Sequence, residues 1–235
     1  VRRGVDDRQG LSQLERLIHL SLWNRHGLFT ERKLHNPATI KRLKEYSGRI
    51  TYLTVEQIDR LLKEAEGDQN RQIYPFIRIG LETSMRKSEI LGIRREHIDL
   101  QRLVIYIPKA KAGAREQPIT RSLADYLESY VATLQPGVQW LFPSMAAKEG
   151  RTVNLDKPFR RCVLAAELDV TQVVRHTLRH TAITHLVQAG VDLPTVKRIS
   201  GHKNLSMVER YSHQNGAHIQ SAMDKLADRY KTKVS

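Results

Sequence analysis

Residues 171–213 read TQVVRHTLRHTAITHLVQAGVDLPTVKRISGHKNLSMVERYSH and carry His176, Arg179, His202 and Tyr211 in that order. Apolar spacing and punctuation resolve the stretch into three successive helices. The first spans 176–190 and is stopped by Gly190 as its C-cap. The second spans 193–200, with Pro194 in its first turn. Gly201-His202 makes a turn, and Ser206-Met207-Val208-Glu209 reads as a capping box opening a helix that bears Tyr211. Downstream, Gly216 ends that helix and 217–230 forms a last one, with Ile219, Ala222, Met223 and Leu226 apolar.

The rest of the chain reads mostly as helix. Thr54-Val55-Glu56-Gln57 is a capping box for a helix running to about Glu66. A largely apolar helix covers 73–81, and a turn then delivers Arg86 ahead of a new helix on which Glu89, three residues on, can face it. Amphipathic helices follow at 120–134 and 156–168, separated by a buried extended piece, Trp140-Leu141-Phe142-Pro143. One region differs. Leu103-Val104-Ile105-Tyr106-Ile107 is rich in β-branched residues, and a basic turn over 109–115 returns the chain to Glu116–Ile119. The expected fold is mainly α with a small antiparallel β-sheet (α+β). Residues 7–25 and 38–46 form two more helices, and Lys41, Arg42, Lys44 and Arg49 make a basic linker around Ser47-Gly48.

Composition narrows the partners. The net charge is +14, from 39 lysines and arginines against 25 acids, well beyond what solubility asks of a surface and suited to a polyanion such as nucleic acid. Lys41, Arg42 and Lys44 can track a phosphate backbone, and Lys109 on the hairpin can reach a DNA groove. Cys162 is the single cysteine, which excludes an intramolecular disulfide and fits a cytosolic setting. No apolar run reaches the roughly 18 residues of a membrane span. The chain begins at Val1 and has no signal-peptide apolar core, so its start reads as that of a fragment or a processed form.

A phosphodiester repels nucleophiles through its non-bridging oxygens, and fixed cations aimed at the developing charge overcome this. Arginine suits the task, being planar, always charged and able to grip two oxygens. Arg86 and Arg179 can form a clamp, His176 shares a helical face with Arg179, and His202 adds a donor. Tyr211 is then the nucleophile, its phenolate favoured by nearby cations, and Lys111 on the hairpin is the general acid for the leaving oxygen. His176 and His180 are four apart as in zinc helices, but Thr177 stands where a metalloprotease has glutamate. We therefore expect no metal and no cofactor, and read His180 and His185 as satisfied core residues.

Thr83-Ser84-Met85-Arg86-Lys87-Ser88-Glu89-Ile90-Leu91 resembles the first conserved box of the tyrosine recombinases, the phage integrase family. Pro108-Lys109-Ala110-Lys111-Ala112-Gly113 resembles their lysine hairpin, with Lys109 as a competing register. His176-Thr177-Leu178-Arg179, Gly201-His202 and Tyr211 resemble their second box. The departures are Ser84, where glycine is frequent, and Ser200, where leucine often precedes Gly201. The resemblance implies a catalytic domain over 49–235, preceded at 1–48 by the last part of a helical core-binding domain. It implies catalysis by Arg86, Lys111, His176, Arg179, His202 and Tyr211, with Glu89 supporting Arg86. It further implies a 3′-phosphotyrosyl intermediate, a Holliday junction, no need for ATP or metal, and a homotetramer on double-stranded DNA bearing specific recombination sites. Accessory DNA-bending or directionality proteins, no membrane, and a cytoplasmic, nucleoid-associated bacterial or phage and mobile-element setting complete the expectation. The competing readings are a type IB topoisomerase, a non-catalytic DNA-binding protein and a zinc hydrolase.

Overall fold

Helix α2 (Ile73–Thr83) is the central element of a computed structural model that describes residues 50–110, 113–212 and 217–231, with side chains at 217–222 and 231 outside the description. Lys41, Arg42, Lys44 and Lys111, and the helices expected at 7–25 and 38–46, lie outside the described residues. Seven residues of α2 are buried, among them Ile73, Phe76, Ile77 and Ile79. A helix apolar around most of its circumference must be covered on several sides. It packs against α1 (Val55–Glu66), α4 (Arg121–Ala132) and α6 (Arg175–Gln188). Gly80 lets α6 come close, since a Cβ there would stand 3.1 Å from Leu178 Cδ1.

The local signals explain most boundaries. The Thr54 hydroxyl accepts from the Gln57 amide and the Gln57 side chain accepts from the Thr54 amide, closing the box that starts α1. Thr120 caps α4, and Asp192 caps α7 (Leu193–Ser200), which carries Pro194 in its first turn. Helix α6 ends in a Schellman turn at Gly190, where φ is +84°. Helix α5 (Asp156–Ala165) is three residues shorter than expected. Glu167 adopts φ +56°, so its amide bonds Leu164 O and the Leu168 amide bonds Val163 O, the same turn built without glycine.

The sheet has three antiparallel strands in sequence order: β1 (Ile98–Asp99), β2 (Val104–Ile107) and β3 (Arg115–Pro118). Ile105 faces Gln117 and Ile107 faces Arg115, so alternation directs these four side chains to the protein side and leaves Tyr106 exposed. Beyond α4, isolated bridges pair Trp140 with Arg94 and Pro143 with Arg151, and Leu141 and Phe142 are fully buried.

Two apolar clusters result. The larger unites α1, α2, α4, α5, the sheet and Leu178. The smaller comprises Ile50, Ile183, Val187, Val196, Val208 and Tyr211. One expectation fails beside it. Ser206 is the first residue of α8 (Ser206–Glu209) and not its cap; Leu205 occupies the capping position without a side-chain bond. Helix α8 is four residues long, and Tyr211 lies in the turn that follows it. The last element is α9 (Ala217–Lys231).

Candidate active site

The turn at Gly201-His202 is where the dispersed polar residues meet. Arg86 occupies the N-cap of α3 (Lys87–Ile90) in an extended backbone conformation. Its Nη1 donates to Glu89 Oε1 at 3.0 Å and its Nη2 to Gly201 O at 3.4 Å. Glu89 is almost fully buried and also accepts from the Arg86 amide at 3.0 Å and from Arg115 Nη2 at 3.2 Å. Burial alone would raise its pKa, but these hydrogen bonds and the two guanidinium charges outweigh it and hold the carboxyl below its ordinary 4.5. Glu89 is therefore an anion that fixes two arginines.

Arg115 was not singled out in the sequence. It reaches from β3 to donate to Ile199 O at 3.2 Å, and it also bonds Gln117. A Cβ at Gly201 would lie 2.7 Å from its Nε, and Gly201 itself has φ +64°. Both facts demand glycine here, because Arg115 is wedged against the turn that Arg86 also holds.

Arg179, on α6, is 4% exposed. Its Nη1 donates to Ser84 O at 2.6 Å and its Nη2 to His202 Nε2 at 3.1 Å. Ser84 can offer that carbonyl because it takes the left-handed conformation at the C-cap of α2 (φ 57°, ψ 17°), a conformation glycine adopts more readily. Burial first, then the like charge of Arg86, lowers the Arg179 pKa to about 10, so it stays charged at neutral pH. Arg179 and Arg86 hold two positive charges in mutual repulsion, an arrangement that an anion between them would relieve.

His202 accepts from Arg179 through Nε2, so its neutral ring carries the proton on Nδ1. That N–H donates to Ser200 Oγ at 2.7 Å, and the Ser200 hydroxyl donates to Lys197 O at 3.3 Å. Ser200 thus fixes the orientation of the imidazole. Burial, Arg179 and Arg86 push the His202 pKa to about 4. His176 is exposed beside them, its basicity lowered by neighbouring protein, Arg179 and Arg86.

Tyr211 is 2% exposed, with its ring in the smaller core. Its hydroxyl lies 2.7 Å from His180 Nδ1. His180, read as a satisfied core residue, therefore has the candidate nucleophile as its partner. His185 does behave as a packing residue, meeting Tyr52 edge-on. The nearby cations do favour the phenolate, as expected, but they do not prevail in this state. Burial raises the Tyr211 pKa and outweighs the opposing Arg210 and Arg179. His180 is pushed down to about 4 by burial, His176, Arg210 and Arg179, so at neutral pH an uncharged imidazole meets a protonated phenol.

The structure therefore brings Arg86, Glu89, Arg179, His202 and Tyr211 together, with His176 at the edge, its ring 5.3 Å from that of His180. Lys109 is exposed and lines, with Arg94, Trp140 and Arg151, a cleft of about 530 Å³ that also reaches Glu89. No group of three His, Cys, Asp or Glu able to hold a metal ion exists among the described residues, and no described helix is long and apolar enough to cross a membrane.

The two neutral histidines carry a pH prediction. Unfolded, His180 and His202 protonate near 6.5; folded, near 4. Between those values the unfolded chain binds more protons, so the stability they confer is complete above pH 6.5 and is lost as the pH falls through about 4. Urea midpoints should drop across this window, and His180→Asn and His202→Asn should each flatten the drop.

A mainly helical domain with a small antiparallel sheet, and paired guanidiniums, histidines and a tyrosine around one turn, define the class to which the comparisons point. The sequence profile of the phage integrase family matches residues 51–218, and the chain belongs to that family. The shufflon-specific DNA recombinase of Escherichia coli is 29% identical over 187 residues, covering 79% of this chain and 46% of the relative. Tyrosine recombinase XerA of Thermococcus kodakarensis is 28% identical, covering 74% of this chain and 61% of the relative. The catalytic domain of bacteriophage HP1 integrase superposes with a TM-score of 0.56 at 27% identity, covering 75% of this chain and 95% of that one. XerH bound to palindromic difH substrate shares the fold, with a TM-score of 0.69 at 20% identity over 88% of this chain and 65% of that one. The chain spans about half the length of the curated relatives it matches.

Proposed function

We propose that this chain carries the catalytic part of a tyrosine-type site-specific DNA recombinase. The observation that carries the reading is the convergence on one turn. Arg86 bonds Gly201 O, Arg179 bonds His202, and Tyr211 joins through His180, the neighbour of Arg179 in sequence.

Arg86 and Arg179 grip the non-bridging oxygens of the scissile phosphate, assisted by His176 and His202, and stabilise the charge that builds on them. The Tyr211 oxygen attacks phosphorus to give a 3′-phosphotyrosyl link, and Lys111 protonates the departing 5′ oxygen. The freed 5′ hydroxyl attacks the partner strand's link, and two such rounds pass through a Holliday junction. The phosphotyrosine conserves the energy of the broken bond, so the cycle draws on neither ATP nor metal.

The partner is double-stranded DNA carrying recombination sites. Lys109 reaches into a groove, and Lys41, Arg42 and Lys44 contact the backbone from a core-binding segment at 1–48, which precedes the catalytic domain at 49–235. Four copies assemble on two sites, with DNA-bending or directionality proteins as accessories. Met223, Leu226 and Tyr230 of α9 are 55%, 43% and 64% exposed, which supports docking of that helix on a neighbouring copy. The setting is the bacterial cytoplasm, with the chain encoded by the host, a phage or another mobile element.

The test is covalent trapping. Incubation with a pool of nicked duplexes of randomised sequence should yield a protein–DNA adduct that survives denaturation, with the phosphate on the peptide containing Tyr211. A fully denaturable complex, or a phosphate mapped to another side chain, would overturn the reading.

A further inference from the structure

The reading of Tyr211 as nucleophile leaves one proton unassigned. A phenol must lose its hydrogen as its oxygen bonds phosphorus, and Tyr211 is 2% exposed in an apolar cluster, out of reach of bulk water. Three histidines belong to the cluster. His202 has Nε2 engaged by Arg179 and Nδ1 by Ser200. His176 contacts the edge of the His180 ring, and among the described residues no hydrogen bond joins it to the phenol. His180 places Nδ1 2.7 Å from the Tyr211 oxygen, within the reach a general base needs.

We infer that His180 is the general base that accepts the Tyr211 proton during strand cleavage and returns it during rejoining. This rests on the reading of Tyr211 given above. As the Tyr211 oxygen bonds phosphorus, its O–H bond breaks and the proton passes to His180 Nδ1. The P–O5′ bond breaks, and the 5′ oxygen takes a proton from the Lys111 ammonium. Rejoining runs the same path backwards: the incoming 5′ hydroxyl gives its proton to Lys111, phosphorus–phenol bonding is lost, and the His180 imidazolium reprotonates the phenol.

The surroundings make this base dependent on substrate. His176 and Arg179 on α6, and Arg210 beside Tyr211, all oppose a positive charge on His180. In the free protein the proton accordingly stays on the phenol, and the nucleophile is silent. A phosphodiester held by Arg86 and Arg179 brings a negative charge against the same cations and lowers the cost of forming the imidazolium. Proton acceptance is thus coupled to the arrival of a phosphate, which guards a buried nucleophile against reaction with anything else.

The experiment uses the duplex recovered from the wild-type adduct, with the full chain in excess so that single-turnover cleavage is read. His180→Asn keeps an acceptor near the Nδ1 position but takes no proton. Its cleavage rate should fall by about 100-fold or more, the usual worth of a general base, with unchanged DNA affinity. Fluorotyrosine at 211, a more acidic phenol, should restore much of the loss. Wild-type cleavage by His180→Asn would overturn the inference while leaving the recombinase reading intact, and a loss that fluorotyrosine does not repair would reduce His180 to a positioning residue. Failure of the wild-type chain to form any adduct would instead overturn the reading itself. If the variant does not fold, a 5′-bridging phosphorothiolate in the wild-type reaction decides. Its sulfur departs without a proton, so a slower reaction in D2O reports the phenol proton in flight, and equal rates in the two solvents overturn the inference.

Discussion

Tyr211→Phe should abolish the covalent adduct altogether while leaving the protein folded and bound to DNA. The ring of Tyr211 packs with Ile50, Ile183, Val187, Val196 and Val208, and phenylalanine preserves those contacts. What disappears is one hydroxyl and its bond to His180 Nδ1 at 2.7 Å. The stability cost of such a bond is about 1 kcal/mol, since the imidazole left behind is only partly buried. The effect on chemistry has a different scale, because no neighbouring group can substitute for the oxygen that becomes bonded to phosphorus. Denaturing gels should show no adduct with Tyr211→Phe, and band-shift titrations should give the wild-type affinity. An adduct that persisted would assign the nucleophile elsewhere; the hydroxyl of Ser212, next in sequence, would be the first to examine.

The elements of this domain whose ends are written in local chemistry are the ones legible in its sequence. Thr54 with Gln57, and Gly190, each announce a helix end through a bond made within four residues. Where an end depends on something longer in range, the sequence misleads. The amphipathic pattern of α5 continues past Ala165, but Glu167 adopts a left-handed conformation with no glycine to mark it, and the helix stops. Ser206 and Glu209 have the spacing of a capping box, but α8 begins one residue too early for Ser206 to act as its cap.

The candidate site divides the same way. Helical spacing puts His176 and Arg179 on one face, and the three-residue interval lets Glu89 hold Arg86. The contacts that give the cluster its shape join residues far apart in sequence. Arg115 reaches Ile199 O across 84 positions, and His180 meets Tyr211 across 31. One signal for His180 was present: it follows Arg179 directly and lies four residues from His176, on the same side of α6. Ser200 was visible as a departure from a leucine, though its bond to His202 Nδ1 depends on a left-handed Gly201 folding the chain back. The protonation of Tyr211 is not legible in the sequence, for a physical reason. Counting nearby cations gives a lowered pKa, whereas the extent of burial, which opposes it, is set by tertiary packing around Ile50 and Val208.

Arg179→Ala should lower strand cleavage by about 1,000-fold or more while DNA affinity changes little, because removing even one well-aimed donor to a developing oxyanion costs about 100- to 1,000-fold and the guanidinium supplies several. Affinity is spread over many phosphate contacts along the duplex, so the loss of one buried cation removes a small share of it. Folding will also suffer. Ser84 O loses its 2.6 Å donor, His202 Nε2 loses its partner, and a cavity opens beneath the turn. An unpaired buried acceptor costs about 1–3 kcal/mol, so the variant should be compared well below its melting temperature. Arg179→Lys separates charge from geometry. It restores a cation but offers a single ammonium where Arg179 spans Ser84 O and His202 Nε2 at once, and it should recover only a small part of the rate. If Arg179→Lys cleaved at nearly the wild-type rate, net charge alone would be the requirement. If Arg179→Ala lost binding and cleavage in equal measure, Arg179 would be a DNA-holding residue and the clamp would have to be built around Arg86 and Arg115.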